Sequence, residues 1–351
     1  MDVLTAARER IKNVFNTAPK VYLSFSGGKD SIVLSDIIYK MCLAMQIDRR
    51  TLVVELIDEE AIFPCVENIV KEWKAKWESI GVEFRWWCIE VKHFSCLNSL
   101  TQEETFICWD SMKQDKWVRP KPPGCISNHP WLKKRKDKYQ DFLNRIEKDG
   151  ISLIGIRTAE SIQRVQNMAA RLTYKNQDKV FPIYDMKDSD VWLYILQNNL
   201  NIPDAYLYMW QTGRPKNRLR ISQFFSIDTI GSLSDMAQYY PGLYEKICNR
   251  EPNAYMAMLY YDTELYRRAK REKDTVDYKQ KFFEYINSPA AKEQMAVRPK
   301  EFNGAYRLAQ NMFMTQKTWK MLYNMIVGGD PKGRTYRAIA TELQIARKDR
   351  S

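Results

Sequence analysis

The sequence has no apolar run that approaches the roughly 18 residues of a membrane-spanning helix. Its first fifteen residues carry Asp2, Arg8, Glu9 and Arg10, where a secretory signal would be apolar, so we expect neither a membrane span nor a signal peptide. The 7 cysteines include no CxxC pair. An odd number of cysteines without a signal predicts reduced thiols in a cytoplasmic protein and argues against a disulfide framework.

Acidic residues are the scarcer charged class, with 43 Asp and Glu against 55 Lys and Arg, which leaves a net charge of +12. Such an excess favours a polyanionic partner such as nucleic acid or a nucleotide, although charge alone selects no site. The apolar fraction of 45% is ordinary for a folded chain, and 351 residues predict about two domains.

Short apolar segments alternate with helical patterns over the first half of the chain. Strands are predicted at 21–25, 51–57, 82–91 and 152–156. This alternation predicts an α/β fold, a doubly wound parallel sheet with helices on both faces. We place that first domain at 1–203, with a basic, proline-containing insertion at about 92–150. A mostly helical C-terminal domain is expected at 204–351.

A glycine-containing hexamer lies between the first predicted strand and the helix that follows it. Its residues are Ser26, Gly27, Gly28, Lys29, Asp30 and Ser31. Adjacent glycines let the backbone close around an anion, and the start of the following helix adds its dipole. Lys29 supplies a compact positive charge, while Asp30 would orient the loop or help to hold a divalent cation. The alternative is a turn whose polar residues only cap the helix, but the strand before it and the helix after it favour phosphate binding.

Four segments occur in an order that is typical of one superfamily. They are SFSGGKDS at 24–31, IDEEAIFP at 57–64, GIRTAES at 155–161 and FPIYDMKDSDVWLYI at 181–195. Together they resemble the PP-loop and accompanying motifs of the adenine nucleotide alpha-hydrolase-like superfamily. Within it, the segments are similar to the branch of the phosphoadenosine phosphosulfate (PAPS) reductases, over about residues 20–215.

The resemblance implies a set of nucleotide-binding residues. Beyond the hexamer, these are Asp58, Gly155, Arg157 and Glu160, with Lys29, Asp30 and Arg157 as the catalytic candidates. It further implies ATP or PAPS as the ligand, with Mg²⁺, and places the end of the second strand near the adenosine. From chemistry alone, Arg157 can pair bidentately with a phosphate or sulfate, or form a structural ion pair with Glu160 or Asp58. Glu160 can equally be a carboxylate in the first turn of a helix.

The sequence departs from a reductase at the residue that would attack sulfur. Reductases resemble one another in a cysteine near the C-terminus, whereas the last cysteine here is Cys248. Cys125 or Cys248 would have to substitute for it. The stretches 218–222 and 240–266 are similar to the immunoglobulin-binding-regulator A type of coactivator, which often accompanies a ParB-like protein.

Three functional hypotheses follow. The first is ATP-dependent adenylation, with pyrophosphate release, of a nucleic acid or another anionic substrate. The second is a nucleotide-binding transcriptional coactivator or regulator without turnover. The third is a PAPS reductase with an unusual cysteine.

Two further candidate sites lie around the insertion. The possible metal ligands are Cys88, His93, Cys96, Cys108, Cys125 and His129. Their spacing lacks the close pair typical of zinc sites, so we predict no metal there. The run KKRKDK at 133–138, with Trp109, Trp117 and Trp131, is compatible with a nucleic-acid surface and with a solvated basic helix whose tryptophans pack inward.

Overall fold

The structure, a computed structural model, describes residues 2–95, 97, 105–158, 175–176, 179–214, 219–221, 224, 232–260 and 277–348. The chain divides into two compact units, Met1–Arg268 and Ala269–Ser351. Each unit has its own hydrophobic core.

The first unit contains a twisted α/β sheet. Its strands are β1 (Val21–Ser24), β2 (Leu52–Ile57), β3 (Glu83–Trp87), β6 (Ile151–Ile154), β7 (Lys175–Asn176) and β8 (Lys179–Val180), and β4 (Lys92–Phe94) and β5 (Thr105–Ile107) form a separate antiparallel pair. The order across the sheet is β3-β2-β1-β6-β8-β7, in which all neighbours are parallel except β7 and β8. The predicted α/β class is confirmed.

Helices flank the sheet and begin where the sequence supplies starting signals. They are α1 (Val3–Thr17), α2 (Lys29–Leu43), α3 (Pro64–Ser79), α4 (Tyr139–Ile146), α5 (Asp188–Gln197), α6 (Ala205–Gln211), α7 (Ser232–Tyr239), α8 (Pro241–Arg250) and α9 (Asn253–Tyr260). The Asp2 side chain caps α1 by accepting from the Thr5 N–H at 2.8 Å, and Pro64 opens α3. Helix α2 is buried along most of its length, which fixes the loop that precedes it against the sheet.

The insertion packs against the edge of the sheet beside β3 and has a small core of its own. The Cys88 N–H donates to the Ile126 carbonyl at 2.9 Å, and the Ile126 N–H donates to the Trp86 carbonyl at 2.7 Å. Trp87 and Phe142, from the sheet and from α4, pack edge to face at 5.1 Å. The insertion is therefore part of the first unit and not a separate arm.

The boundary between the units differs from the one expected at 203/204. Helices α6 to α9 contribute to the same core as the sheet, and the Phe63 ring lies 4.8 Å from Phe224 and 5.2 Å from Tyr240. In addition, Arg250 at the end of α8 binds the buried Glu60 beyond β2. The sequence pattern becomes mostly helical at about 204, but these long-range contacts hold helices α6 to α9 in the first unit.

The described part of the second unit is helical. Its helices are α10 (Tyr278–Ile286), α11 (Pro289–Val297), α12 (Pro299–Ala309), α13 (Gln316–Gly328) and α14 (Arg334–Lys348). Phe282, Phe302, Leu322 and Ile339 are fully buried in its core. Among the described residues of either unit, no helix combines the length and the apolar composition of a membrane span.

Candidate functional site

The order of the parallel strands places a cleft at their carboxyl ends. The chain winds from β1 toward β3 in one direction and from β6 toward β8 in the other, so the direction reverses between β1 and β6. Ser24 and Ile154, the last residues of these two strands, are partners in the sheet. Open α/β sheets bind ligands at such a reversal point. Here it holds a cleft of about 210 Å³.

Residues from three separate segments line this cleft. They are Ser24, Ser26, Gly28, Lys29, Asp30 and Ser31 from the first segment, Ile154, Gly155 and Ile156 from the second, and Tyr206, Arg220 and Ile221 from the third. The sequence-predicted phosphate loop thus lies opposite the GIR motif.

The conformation of the loop requires its glycines. Gly27 has φ of +73°, and a Cβ there would lie 2.9 Å from a methyl carbon of Val66, so a side chain is excluded on both grounds. Gly28 is the N-cap of α2 in an extended conformation. A Cβ on Gly155 would lie 3.1 Å from the backbone of Asp30, so the second motif approaches the start of α2 closely.

Lys29 is held inside the site and is only 2% exposed. Its Nζ lies 3.1 Å from the carboxylate of Asp30 and donates to the Leu219 carbonyl at 3.2 Å. Its backbone N–H donates to the hydroxyl of Tyr206 at 2.9 Å. Desolvation by burial raises the pKa of Tyr206, so this group remains a neutral phenol. The Tyr206 hydroxyl oxygen thus accepts a hydrogen bond from the N-terminal turn of α2, as an oxygen of a bound anion would.

The two serines of the loop support its turn. The Ser26 N–H donates to Ser31 Oγ at 3.2 Å, and Ser31 Oγ donates to the Gly28 carbonyl at 2.9 Å. These short-range bonds keep both hydroxyl groups at the rim of the cleft, where they can exchange to a phosphate oxygen.

Arg157 connects the loop to α5. Its Nε donates to Asp30 Oδ1 at 2.6 Å, and its Nη2 donates to Asp188 Oδ1 at 2.7 Å. Burial opposes the charge on this 1%-exposed guanidinium, but the two carboxylates outweigh it and raise the pKa of Arg157. Arg157 thus forms a structural ion pair, as considered from the sequence, and among the described residues its carboxylate partners include Asp30 and Asp188.

Asp58 lies at the carboxyl edge of the sheet, but its carboxylate is used elsewhere. It accepts from Trp86 Nε1 at 2.7 Å and from the Glu60 N–H at 2.9 Å, and it pairs with Arg119 of the insertion. It is not among the described residues that line the cleft. Glu160, the remaining predicted ligand, falls outside the described residues.

Three site residues were missed by sequence reasoning: Tyr206, Asp188 and Arg220. Arg220 belongs to the stretch 218–222 that resembles coactivators, but the sequence did not indicate that it lines the cleft. Asp188 lies in the segment 181–195 that the sequence did identify, but its role appears only when α5 meets Arg157. Tyr206 carries no local signal, because it becomes relevant only when α6 packs on the loop.

The described cysteine and histidine residues around the insertion do not come together in a cluster of metal ligands. Among the described residues, no group of three or more His, Cys, Asp or Glu side chains is placed to hold a metal ion, and Cys96 lies outside them. His93 is buried, with its Nδ1 3.5 Å from Glu59 Oε1. Burial lowers the pKa of His93 to about 4, and burial together with Asp58 raises the pKa of Glu59 to about 7. Between these values the pair is an uncharged imidazole beside an uncharged carboxylic acid.

This burial predicts a dependence of stability on pH. An unfolded histidine has a pKa near 6.5, so between pH 6.5 and 4 the unfolded chain binds a proton that folded His93 does not. The burial of neutral His93 therefore leaves the free energy of unfolding unchanged well above pH 6.5 and lowers it as the pH falls, by about 2 to 3 kcal/mol at pH 4.5. Urea unfolding at pH 7 and at pH 4.5 should therefore show a smaller loss of unfolding free energy in His93→Gln than in wild type.

The matched control is His129→Gln, because His129 is the only other histidine of the sequence. If the two variants change equally between the two pH values, the effect does not come from the burial of His93.

Comparison with known proteins finds a family model that is similar to the part of the chain that follows the first three strands of the sheet. Residues 104–236 match the family model of the phosphoadenosine phosphosulfate reductase domain. The uncharacterized protein YbdN of Escherichia coli K12 is 28% identical over 248 residues, which cover 64% of this chain and 59% of YbdN. The chain thus spans less than two thirds of that relative.

Solved structures with a similar arrangement are distant. The FMN adenylyltransferase of Candida glabrata has a TM-score of 0.36 and 15% identity, over 59% of this chain and 58% of that chain. The PAPS reductase of Candida auris, in a phosphate complex, has a TM-score of 0.34 and 16% identity, over 63% and 89%.

The range that matches the PAPS reductase domain model includes Gly155, Arg157 and Tyr206. This confirms the resemblance carried by the sequence motifs. The coactivator subgroup remains a prediction.

Proposed function

We propose that the cleft binds the phosphate chain of an adenine nucleotide and that the protein uses ATP to adenylate an anionic acceptor. The observation that carries the proposal is that Lys29, Arg220 and the N-terminus of α2 line one cleft at the reversal point of the sheet. Arg157 does not line this cleft but donates to Asp30, which does. Cations and a helix dipole at one cleft favour a multiply charged anion.

The proposed reaction forms one bond and breaks another at the α-phosphorus. A nucleophile of the acceptor attacks that phosphorus, the bond to the bridging oxygen of the β-phosphate breaks, and pyrophosphate leaves with the electron pair. Lys29 and the loop amides would hold the departing phosphates, and the contribution of the protein would be positioning and charge stabilisation.

Magnesium would enter with the nucleotide. Asp30 is the one carboxylate among the described residues that line the cleft, and it already faces Lys29 and Arg157. Mg²⁺ commonly binds through one or two carboxylates, substrate phosphates and water, so a single carboxylate fits a nucleotide-borne ion better than a resident one. When bound, the ion would neutralise charge on the leaving pyrophosphate.

The second candidate function is a nucleotide-binding regulator without turnover. The resemblance to coactivators favours it, and its partners would be DNA or a ParB-like protein. In this case Lys29 would exchange its hydrogen bonds to the Tyr206 hydroxyl and the Leu219 carbonyl for bonds to phosphate oxygens when nucleotide binds.

A PAPS reductase is the least supported candidate. Neither Cys125 nor Cys248 is among the described residues that line the cleft. Burial raises the pKa of the Cys248 thiol, which disfavours the thiolate that must attack sulfur. Sulfite production that survives Cys125→Ser and Cys248→Ser would remove both residues as candidates.

Calorimetric titration with ATP and with PAPS, each with Mg²⁺, tests the proposal first. We expect tighter binding of ATP, followed by pyrophosphate release when oligonucleotide acceptors are added. Binding of ATP without pyrophosphate across the acceptor panel would favour the regulator. Preference for PAPS with sulfite formation would contradict adenylation and favour the reductase.

A further inference from the structure

The basic run of the insertion is an anchored loop and not a helix. Asp137 is buried and accepts from the Lys133 N–H at 2.7 Å, while its carbonyl accepts from the Lys92 N–H at 2.8 Å. The Arg135 N–H donates to the Glu90 carbonyl at 2.9 Å. The first of these bonds closes the loop on itself, and the other two tie it to the body of the first unit. The run is therefore not the solvated basic helix that the sequence left open.

These contacts divide the cations of the loop into two classes. Arg135 pairs with the buried Asp110, and Arg145 pairs with the buried Asp137. The remaining cations are the exposed side chains that we call the lysine face: Lys133, Lys134, Lys136 and Lys138. Within the described residues, none of these four has a carboxylate within ion-pair distance, so their charge is not neutralised locally.

Trp131 precedes the lysine face and differs from the other two tryptophans of the insertion. Trp109 and Trp117 pack against each other at 5.4 Å, whereas Trp131 is 47% exposed. Its N–H donates to His129 Nδ1 at 3.2 Å, and its carbonyl accepts from Arg145 Nε at 3.1 Å, so its backbone is fixed. An exposed indole on a fixed backbone loses little conformational entropy when a planar group stacks on it.

We propose that Trp131 and the lysine face form a binding surface for single-stranded nucleic acid. Four unpaired cations on an ordered loop match a phosphodiester backbone, and an exposed indole beside them matches an unstacked base. An anchored loop is poorly shaped for the major groove of a duplex, which admits a helix or a two-stranded ribbon. The surface shares no residue with the nucleotide cleft, so this proposal stands apart from the adenylation chemistry.

Fluorescence anisotropy of a labelled 20-nucleotide oligo(dT), titrated with the full chain without nucleotide, tests the surface. The variant with Lys133, Lys134, Lys136 and Lys138 all changed to Gln should bind about 100-fold more weakly at 0.1 M salt. Its slope of log affinity against log salt should be smaller by about 3, since each phosphate contact on a single strand contributes about 0.7. The control changes four exposed lysines of the second unit (Lys279, Lys292, Lys300 and Lys332) to Gln, with the same loss of charge.

Trp131→Ala should weaken binding about 10-fold with the salt slope unchanged, while Trp131→Phe should retain most of the affinity. Thermal melting followed by circular dichroism verifies that each variant is folded. Equal losses in the two quadruple variants would overturn the proposal, as would stronger binding of a duplex of equal length or of anionic phosphatidylserine vesicles. Lys29→Ala should bind the oligonucleotide as wild type does, so failure of the nucleotide site leaves this test intact.

Discussion

Replacing Lys29 by Ala should weaken nucleotide binding about 100-fold, because one charge-assisted contact with a phosphate contributes about 1.5 to 3 kcal/mol. The cation is almost completely buried and lies at the first residue of α2, so no solvent screens its attraction to a phosphate. Calorimetric titration with ATP and with PAPS measures the loss. Both nucleotides should be affected, since both present a phosphate chain.

The fold should tolerate this substitution. Asp30 keeps its partner Arg157 when Lys29 is removed, so no buried carboxylate is left alone. Lys40→Ala is the matched control, because Lys40 lies in the last turn of the same helix and pairs with Asp36 at 2.6 Å. Unchanged affinity of Lys29→Ala for both nucleotides would place the phosphates outside this loop.

Replacing Arg250 by Met should lower the free energy of unfolding by about 3 to 5 kcal/mol, the cost typical of breaking a buried ion pair from one side. Arg250 Nε donates to Glu60 Oε1 at 2.9 Å, and both side chains are essentially inaccessible to solvent. Met fills similar volume but leaves the carboxylate without its cation. Urea unfolding at pH 8 measures the effect.

The loss should be smaller at low pH. Burial raises the pKa of Glu60, and Arg250 partly offsets that rise. In Arg250→Met the offset is lost, so the pKa of Glu60 should be higher than in wild type. A carboxyl group whose pKa is raised on folding costs stability as the pH rises, and the deficit should shrink between pH 8 and pH 5. Adding Glu60→Gln to Arg250→Met should restore part of the stability at pH 8, because a neutral amide replaces the unpaired charge.

Arg50→Met provides the comparison, because Arg50 forms a 2.8 Å ion pair with Asp48 at the surface. Its removal should leave the free energy of unfolding nearly unchanged, since water screens exposed pairs. Equal losses at the two positions would show that burial is not what makes the Arg250–Glu60 pair important.

Local patterns were sufficient to predict the frame of the site. The strand at 21–24, the hexamer at 26–31 and the buried helix α2 are consecutive in the chain, so turn chemistry and periodicity determine them. The same is true of the strand at 151–154 and the glycine after it. Parallel pairing then brings the ends of these strands together, as the general rule for open sheets predicts.

Local sequence patterns could not predict the ion-pair partners of the charged residues. Arg157 binds Asp30 and Asp188, which lie 127 and 31 residues away from it, and Asp58 turns to Arg119 of the insertion. Glu55, in the middle of a strand predicted to be buried, faces Arg85 of the adjacent strand at 3.0 Å. The partner of each charged residue depends on which side chain lies next to it after packing. The sequence offers many cations for every acidic residue and does not indicate which one will be adjacent.

The sequence by itself determined the α/β class, the glycine-containing turn between β1 and α2, and the resemblance to PAPS reductases, because each depends on short contiguous segments of the chain. Tertiary structure alone decided that Tyr206 and Leu219 bind Lys29, that 205–260 joins the first unit, and which lysines of the insertion stay unpaired. The physical reason is the same in each case. Burial makes an unpaired charge or hydrogen-bonding group costly, and its partner is selected by proximity in the folded chain, which no local pattern encodes.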